Sequence, residues 1–205
     1  MSRQAQVNVV GFTLVTLMIL IVVSISFIWG RGLVEKSNNL NEAKRIENSM
    51  IDLHSAIKEV ANERSQRTVT FEIRDGWLMV PKNDTVRFES FVELPSSSRF
   101  NDLRIIVGNY SKDGACRNVS TNLGRLGYDD PGCLIQQGGS IFELEYIVLN
   151  DTIANECFGI ILEPKNNVAA TKGTHKILLT FNNTRVGATG NCSSIAYSVV
   201  NVNID

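Results

Sequence analysis

Neither sign of charge prevails in this chain: 20 Lys and Arg stand against 21 Asp and Glu, for a net charge of -1. That balance offers no basic footprint to a phosphate backbone, which excludes nucleic acid as the expected partner. Histidine is nearly missing. His54 sits among solvated positions of a helical stretch and His175 enters a strand, neither with a partner at recognisable spacing. There is no GxSxG elbow, phosphate-cradling glycine loop, HExxH pair or redox CxxC, so the reading is a non-enzyme with no cofactor and no metal. Glu143 and Glu145 resemble an acid/base pair, but two apart on a strand they share its wet face. Asp129 and Asp130 fit no calcium-ligand spacing and read as a turn with Pro131 and Gly132.

Cysteine is absent from the first 115 residues. The four that follow, Cys116, Cys133, Cys157 and Cys192, are an even set, which reads as two disulfides made in an oxidising compartment. Cys116 and Cys133 bound a Gly-, Asn- and Asp-rich loop and are expected to pair, leaving Cys157 for Cys192, although four cysteines permit three connectivities. A length of 205 residues allows one domain plus an appended segment.

That segment is missing charge altogether. Residues 9–29, VVGFTLVTLMILIVVSISFIW, run 21 positions without an ionisable side chain, enough to cross a ~30 Å hydrocarbon core as a helix. Fourteen of them are Leu, Ile, Val or Phe, worth about -4 to -8 kcal/mol gross on the insertion scale. A cleaved secretory signal would be shorter and end in small residues, whereas this run ends in Phe27, Ile28 and Trp29. Retention of the segment is therefore expected. Arg3 on one flank and Arg31 and Lys36 on the other leave the charge rule for topology indecisive.

Topology comes from six N-glycan acceptor sequons at Asn83, Asn109, Asn118, Asn150, Asn182 and Asn191, all beyond the apolar run. Composition alone would give roughly three. Together with the cysteines they place the C-terminal part outside the cell.

Past Gly30 and Gly32, where a bend is expected, the pattern turns amphipathic over residues 33–63. Leu33, Leu40, Ala43, Ile46, Met50, Leu53, Ile57 and Val60 make one stripe, and Glu42, Lys44, Arg45, Glu47, Asp52, Lys58, Glu59 and Glu63 the opposite side. Continuous helix from residue 9 to 63 would run on the order of 80 Å. Its second half needs its stripe covered by the chain's own β domain, by neighbouring subunits, or by both.

From residue 68 to 205 the periodicity is that of strands, about eight of them, at residues 68–74, 77–80, 85–94, 103–110, 141–149, 157–162, 176–181 and 194–204. Asp75-Gly76 reads as a tight turn returning the first strand into the second. The phase slip between Val199 and Val200 predicts a bend or bulge in the last. The fold class expected is α+β: a long N-terminal helix, then an antiparallel β-sandwich-like head.

The N-terminus, Ser2-Arg3-Gln4-Ala5-Gln6-Val7-Asn8-Val9-Val10-Gly11-Phe12, resembles the class III signal sequence of archaeal type IV pilins and archaellins. In that family a short polar leader precedes a hydrophobic helix, a membrane peptidase removes the leader, and the helix is kept as the packing core of a filament. The resemblance implies a leader over residues 1–5, cleavage between Ala5 and Gln6, and a mature helix over 6–63. The fifth mature position is then Val10, where many members carry glutamate. It further implies a homopolymer built through the N-terminal helix, and a glycosylated head exposed for adhesion. The partners implied are the membrane before assembly, the prepilin-type peptidase and the assembly machinery. The other expectation the sequence supports is a monomeric surface protein held by an uncleaved signal anchor, with the β head as adhesin or receptor.

Overall fold

A computed structural model describes residues 3–81, 85–91, 103–108, 130–151, 155–166, 169–189 and 192–205, without the side chains of 3–10, 103–105, 188–189 and 192–193. One helix, α1, runs Arg3–Glu63 and stays helical through Gly30 and Gly32. Eleven described strands follow: β1 Gln66–Ile73, β2 Trp77–Met79, β3 Thr85–Glu89, β4 Leu103–Val107, β5 Gly132–Gln137, β6 Ile141–Tyr146, β7 Leu149–Asp151, β8 Glu156–Pro164, β9 Ala169–Ala170, β10 Gly173–Thr189 and β11 Cys192–Ile204. The fold is α+β. Residues Met1–Asn41 and Glu42–Asp205 form two separate compact units, so the second half of α1 belongs to the head.

In the head, one sheet has the order β1-β10-β11-β8-β7 and the other β4-β5-β6-β3-β2-β9. Pairing is antiparallel except between β8 and β11, which run parallel. The helical stripe from Ala43 to Ala61 is buried among the inner faces of both sheets, with Ile46, Met50, Ile57 and Val60 fully covered. Those four side chains with Leu53 contribute on the order of 10 kcal/mol gross by leaving water. Phe71 of one sheet lies 6.0 Å from Phe88 of the other, an aromatic contact that ties the two sheets together, and Phe88 lies 6.4 Å from its cross-strand neighbour Phe142. The chain's own β domain therefore covers the stalk stripe from Ala43 onward; Leu33, Val34 and Leu40 remain exposed.

The helix ends in a Schellman arrangement, with Arg64 at φ 54° and Ser65 N donating to Val60 O at 3.4 Å. Ser198 Oγ of β11 donates to the next orphan carbonyl, Ala61 O, at 3.1 Å.

Three sequence expectations change. Asp75-Gly76 does not fold β1 back on β2: β1 pairs with β10 and β2 with β3 and β9, so this turn carries the chain between sheets. Gly76, at φ +118°, lets the crossing pass so close to β3 that a Cβ would stand 2.2 Å from Glu89 O. Between the strands expected at 103–110 and 141–149 lies a further one, β5, whose residues are buried on both faces and so show no alternation. The irregularity expected in β11 lies in its partner. Phe181 pairs with Val200 and Asn183 with Val199, which makes Asn182 of β10 the bulged residue. Val199 and Val200 are both fully buried because each face of β11 is covered there.

Candidate functional surface

In the N-terminal unit the large apolar side chains from Phe12 to Trp29 are exposed throughout, and Phe12, Phe27, Ile28 and Trp29 are 71–77% exposed. The stretch is long and apolar enough to cross a membrane, and none of it is buried within the chain. Two of its hydroxyls are turned inward on the helix itself. Thr16 Oγ1 donates to Phe12 O at 2.8 Å and Ser24 Oγ to Leu20 O at 2.7 Å. Such back-bonding satisfies these two hydroxyls without water, as an apolar surrounding requires. A Cβ added at Gly11, Gly30 or Gly32 would meet nothing within 4 Å, so these glycines leave room for close approach by another body.

The head holds a second cluster, where α1 meets the segment before β5. His54 is 2% exposed, which corrects the expectation of a solvated position. Its Nε2 lies 2.9 Å from Oδ1 and 3.0 Å from Oδ2 of Asp130, and its Nδ1 3.0 Å from Tyr146 Oη. Lys58 Nζ donates to Asp130 Oδ2 at 2.9 Å, and Gly132 N to Oδ1 at 3.0 Å. Burial raises the Asp130 carboxyl, but the His54 hydrogen bond and charge, then Lys58 and Gly132 N, outweigh it and hold the group well below its ordinary range. Burial, then the Asp130 charge, push the Tyr146 hydroxyl well above its usual value. A neutral, buried phenol and a fully paired carboxylate make this a tie rather than a reactive relay. Donors surround Asp130, so its oxygens are taken by hydrogen bonds where a cation would need them. Among the described residues no three His, Cys, Asp or Glu converge as metal ligands. The signal for His54 was its spacing: four after Met50 and three before Ile57, it shares their face.

His175 is placed differently, with Nδ1 2.7 Å from Asp205 O and Nε2 2.7 Å from Thr171 O. Glu143 and Glu145 lie part-exposed on β6. Ala5 and Gln6 lie in the helical backbone of α1, their side chains outside the description. Cys133 in β5 and Cys157 in β8 are both disulfide-bonded. Cys116, Asn83, Asn109, Asn118, Asn191 and Asp129 lie outside the described residues, as does the side chain of Cys192. Asn150 is part-covered in β7 and Asn182 exposed in β10. Compared with known proteins, the chain matches no family, no curated protein and no solved structure.

Proposed function

We propose that the chain is the structural subunit of an extracellular, type IV pilus-like filament, inserted in the membrane before assembly and polymerising through its N-terminal helix. The supporting observation is the apolar surface of residues 11–40, which none of the described residues covers. Exposed apolar side chains recur from Phe12 to Leu40 over roughly 40 Å of helix, against a hydrocarbon core of ~30 Å. Lipid accounts for the first part of that length, and Leu33, Val34 and Leu40 call for protein neighbours. Sister helices replace lipid during assembly, and the helix is suited to both surroundings because it has no charge to desolvate between residues 9 and 29.

The second half of α1 is fixed in the head's core, which leaves the first half to pack with its copies. Disulfides suit a head working outside the cell. The leader likeness adds the peptidase as a processing partner. Mass spectrometry of the native N-terminus, with imaging of the purified material, tests this reading. A mature chain beginning at Gln6 and present in filaments is expected. A leader still attached in purified membranes, with no filaments, overturns the proposal in favour of a monomeric anchored adhesin or receptor.

A further inference from the structure

The two sequon asparagines with described side chains differ in setting. Asn150 is part-covered in β7, opposite disulfide-bonded Cys157 of β8. Asn182 is the bulged residue of β10, opposite no residue of β11, with its side chain exposed. Its Nδ2 has a 3.3 Å contact with Glu163 Oε2, while Glu163 Oε1 holds Arg185 at 2.5 Å. Substituting Nδ2 thus leaves the Glu163–Arg185 ion pair in place. Thr184, the hydroxyl the sequon requires, is exposed as well.

The second observation is the edge beside it. β1 covers β10 only along Gly173 to Thr180, and the last rung is Phe181 N to Ser65 O at 3.0 Å. Beyond that, no described strand lies on this side of β10, its other side being taken by β11. The open stretch, residues 182–189, reads NNTRVGAT: one charge, no proline, and Val186 77% exposed. An open strand edge with so little charge is a template for pairing with another chain. A bulge is one device that blunts such an edge, and a bulky hydrated sugar fixed at the bulge is another.

We infer that Asn182 carries an N-linked glycan that shields the open edge of β10; this rests on the reading of the head as exported. In the transfer, Nδ2 of Asn182 attacks the anomeric carbon of a lipid-phosphate-linked sugar. The new N–C bond forms as the C–O bond to phosphate breaks; the electron pair leaves with the lipid phosphate, and one amide proton passes to solvent.

The test uses the full-length chain purified from its native cells, as wild type and as Thr184→Ala, Thr184→Ser and Asn182→Gln. Tandem mass spectrometry of peptides spanning residue 182 should locate a sugar mass on Asn182 in wild type and T184S, and none in T184A or N182Q. Light scattering should report several-fold more high-mass species for T184A and N182Q than for wild type and T184S. An unmodified Asn182 in a chain whose N-terminal peptide begins at Gln6 overturns the inference and leaves the filament reading standing. Sugar on Asn182 of a chain that keeps its leader supports the inference and counts against the filament. Loss of the sugar with unchanged scattering overturns the shielding role.

Discussion

His54 Nε2 lies 2.9 Å from Asp130 Oδ1 while the same ring's Nδ1 lies 3.0 Å from Tyr146 Oη, so one imidazole joins α1, the segment before β5 and the end of β6. Nε2–H of the ring donates to the carboxylate, and Nδ1 shares the second hydrogen bond with the Tyr146 hydroxyl. Lys58 and Gly132 N complete the carboxylate's shell. The polar tie sits beside Leu53 and Ile57, which are buried in the core, so it anchors this part of α1 to the sheet that holds β5 and β6.

Replacing Asp130 by Asn should lower the free energy of unfolding by about 1.5–3 kcal/mol at neutral pH, the usual worth of hydrogen bonds to a charged group. The carboxyl is held below its unfolded value. Its contribution is thus fully present above the unfolded pKa and is lost as pH falls through the lower folded one. The gap between wild type and D130N should narrow below about pH 4. Urea unfolding followed by circular dichroism over an acid-to-neutral series checks this, and a gap that stays constant into strong acid counts against it.

Gly132 is where His54 demands space, since a Cβ there would stand 2.3 Å from His54 Cε1. Gly132→Ala should cost about 1–3 kcal/mol by overpacking. In a His54→Ala background the same change should cost less than about 0.5 kcal/mol, because the ring that clashes is gone. A double-mutant cycle with no coupling would place the strain elsewhere.

The helix was legible because its signals are local. The three-and-four stepping from Ala43 to Val60 appears in the sequence and is buried as a stripe. His54 lies on that stripe by spacing, yet its partners stand 76 and 92 residues away, beyond any local pattern. Asp75-Gly76 announces a turn, but which strands meet across it depends on long-range pairing, and β1 finds β10 instead of β2. β5 escaped notice because Leu134 and Ile135 are buried on opposite faces, which erases the alternation that marks a half-exposed strand.

Arg64 occupies a left-handed position that glycine would take without steric cost. Its guanidinium carbon also lies 5.9 Å from the centroid of the Phe181 ring, a contact worth about 0.5–1 kcal/mol at the surface. Arg64→Ala keeps the backbone cost and loses the ring, so it should destabilise by about 0.5–1 kcal/mol. Arg64→Gly loses the ring but relieves about 1–2 kcal/mol of strain, and should be neutral to stabilising. Thermal unfolding of the two variants side by side checks the ordering.

Cys133 and Cys157 are both bonded, and no free thiol occurs among the described cysteines. If all four cysteines are bridged, the unreduced chain should weigh about 4 Da less than the reduced one, one hydrogen per thiol. Reduction should lower head stability by about 2–5 kcal/mol. Alkylation of thiols in the unreduced, denatured protein would show that a bridge is missing.

Two substitutions on α1 separate what lipid does from what neighbours do. Ile19 is exposed in the middle of the uncharged run, and Ile19→Asp should cost about 3–4 kcal/mol on insertion, a large part of the gross gain of the segment. Membrane recovery should fall, and the unfolding of the head should not change, because Ile19 lies outside the unit that forms it. Leu40 is equally exposed but lies past the length a bilayer needs. On the proposed filament reading, Leu40→Ser should leave membrane recovery intact and reduce the yield of filaments, since the surface it weakens would be one that another subunit meets. Fractionation and filament imaging of both variants read the two effects separately. Undiminished filaments from L40S would mean that the helix beyond the bilayer has no neighbour, which is the situation of a solitary anchored protein.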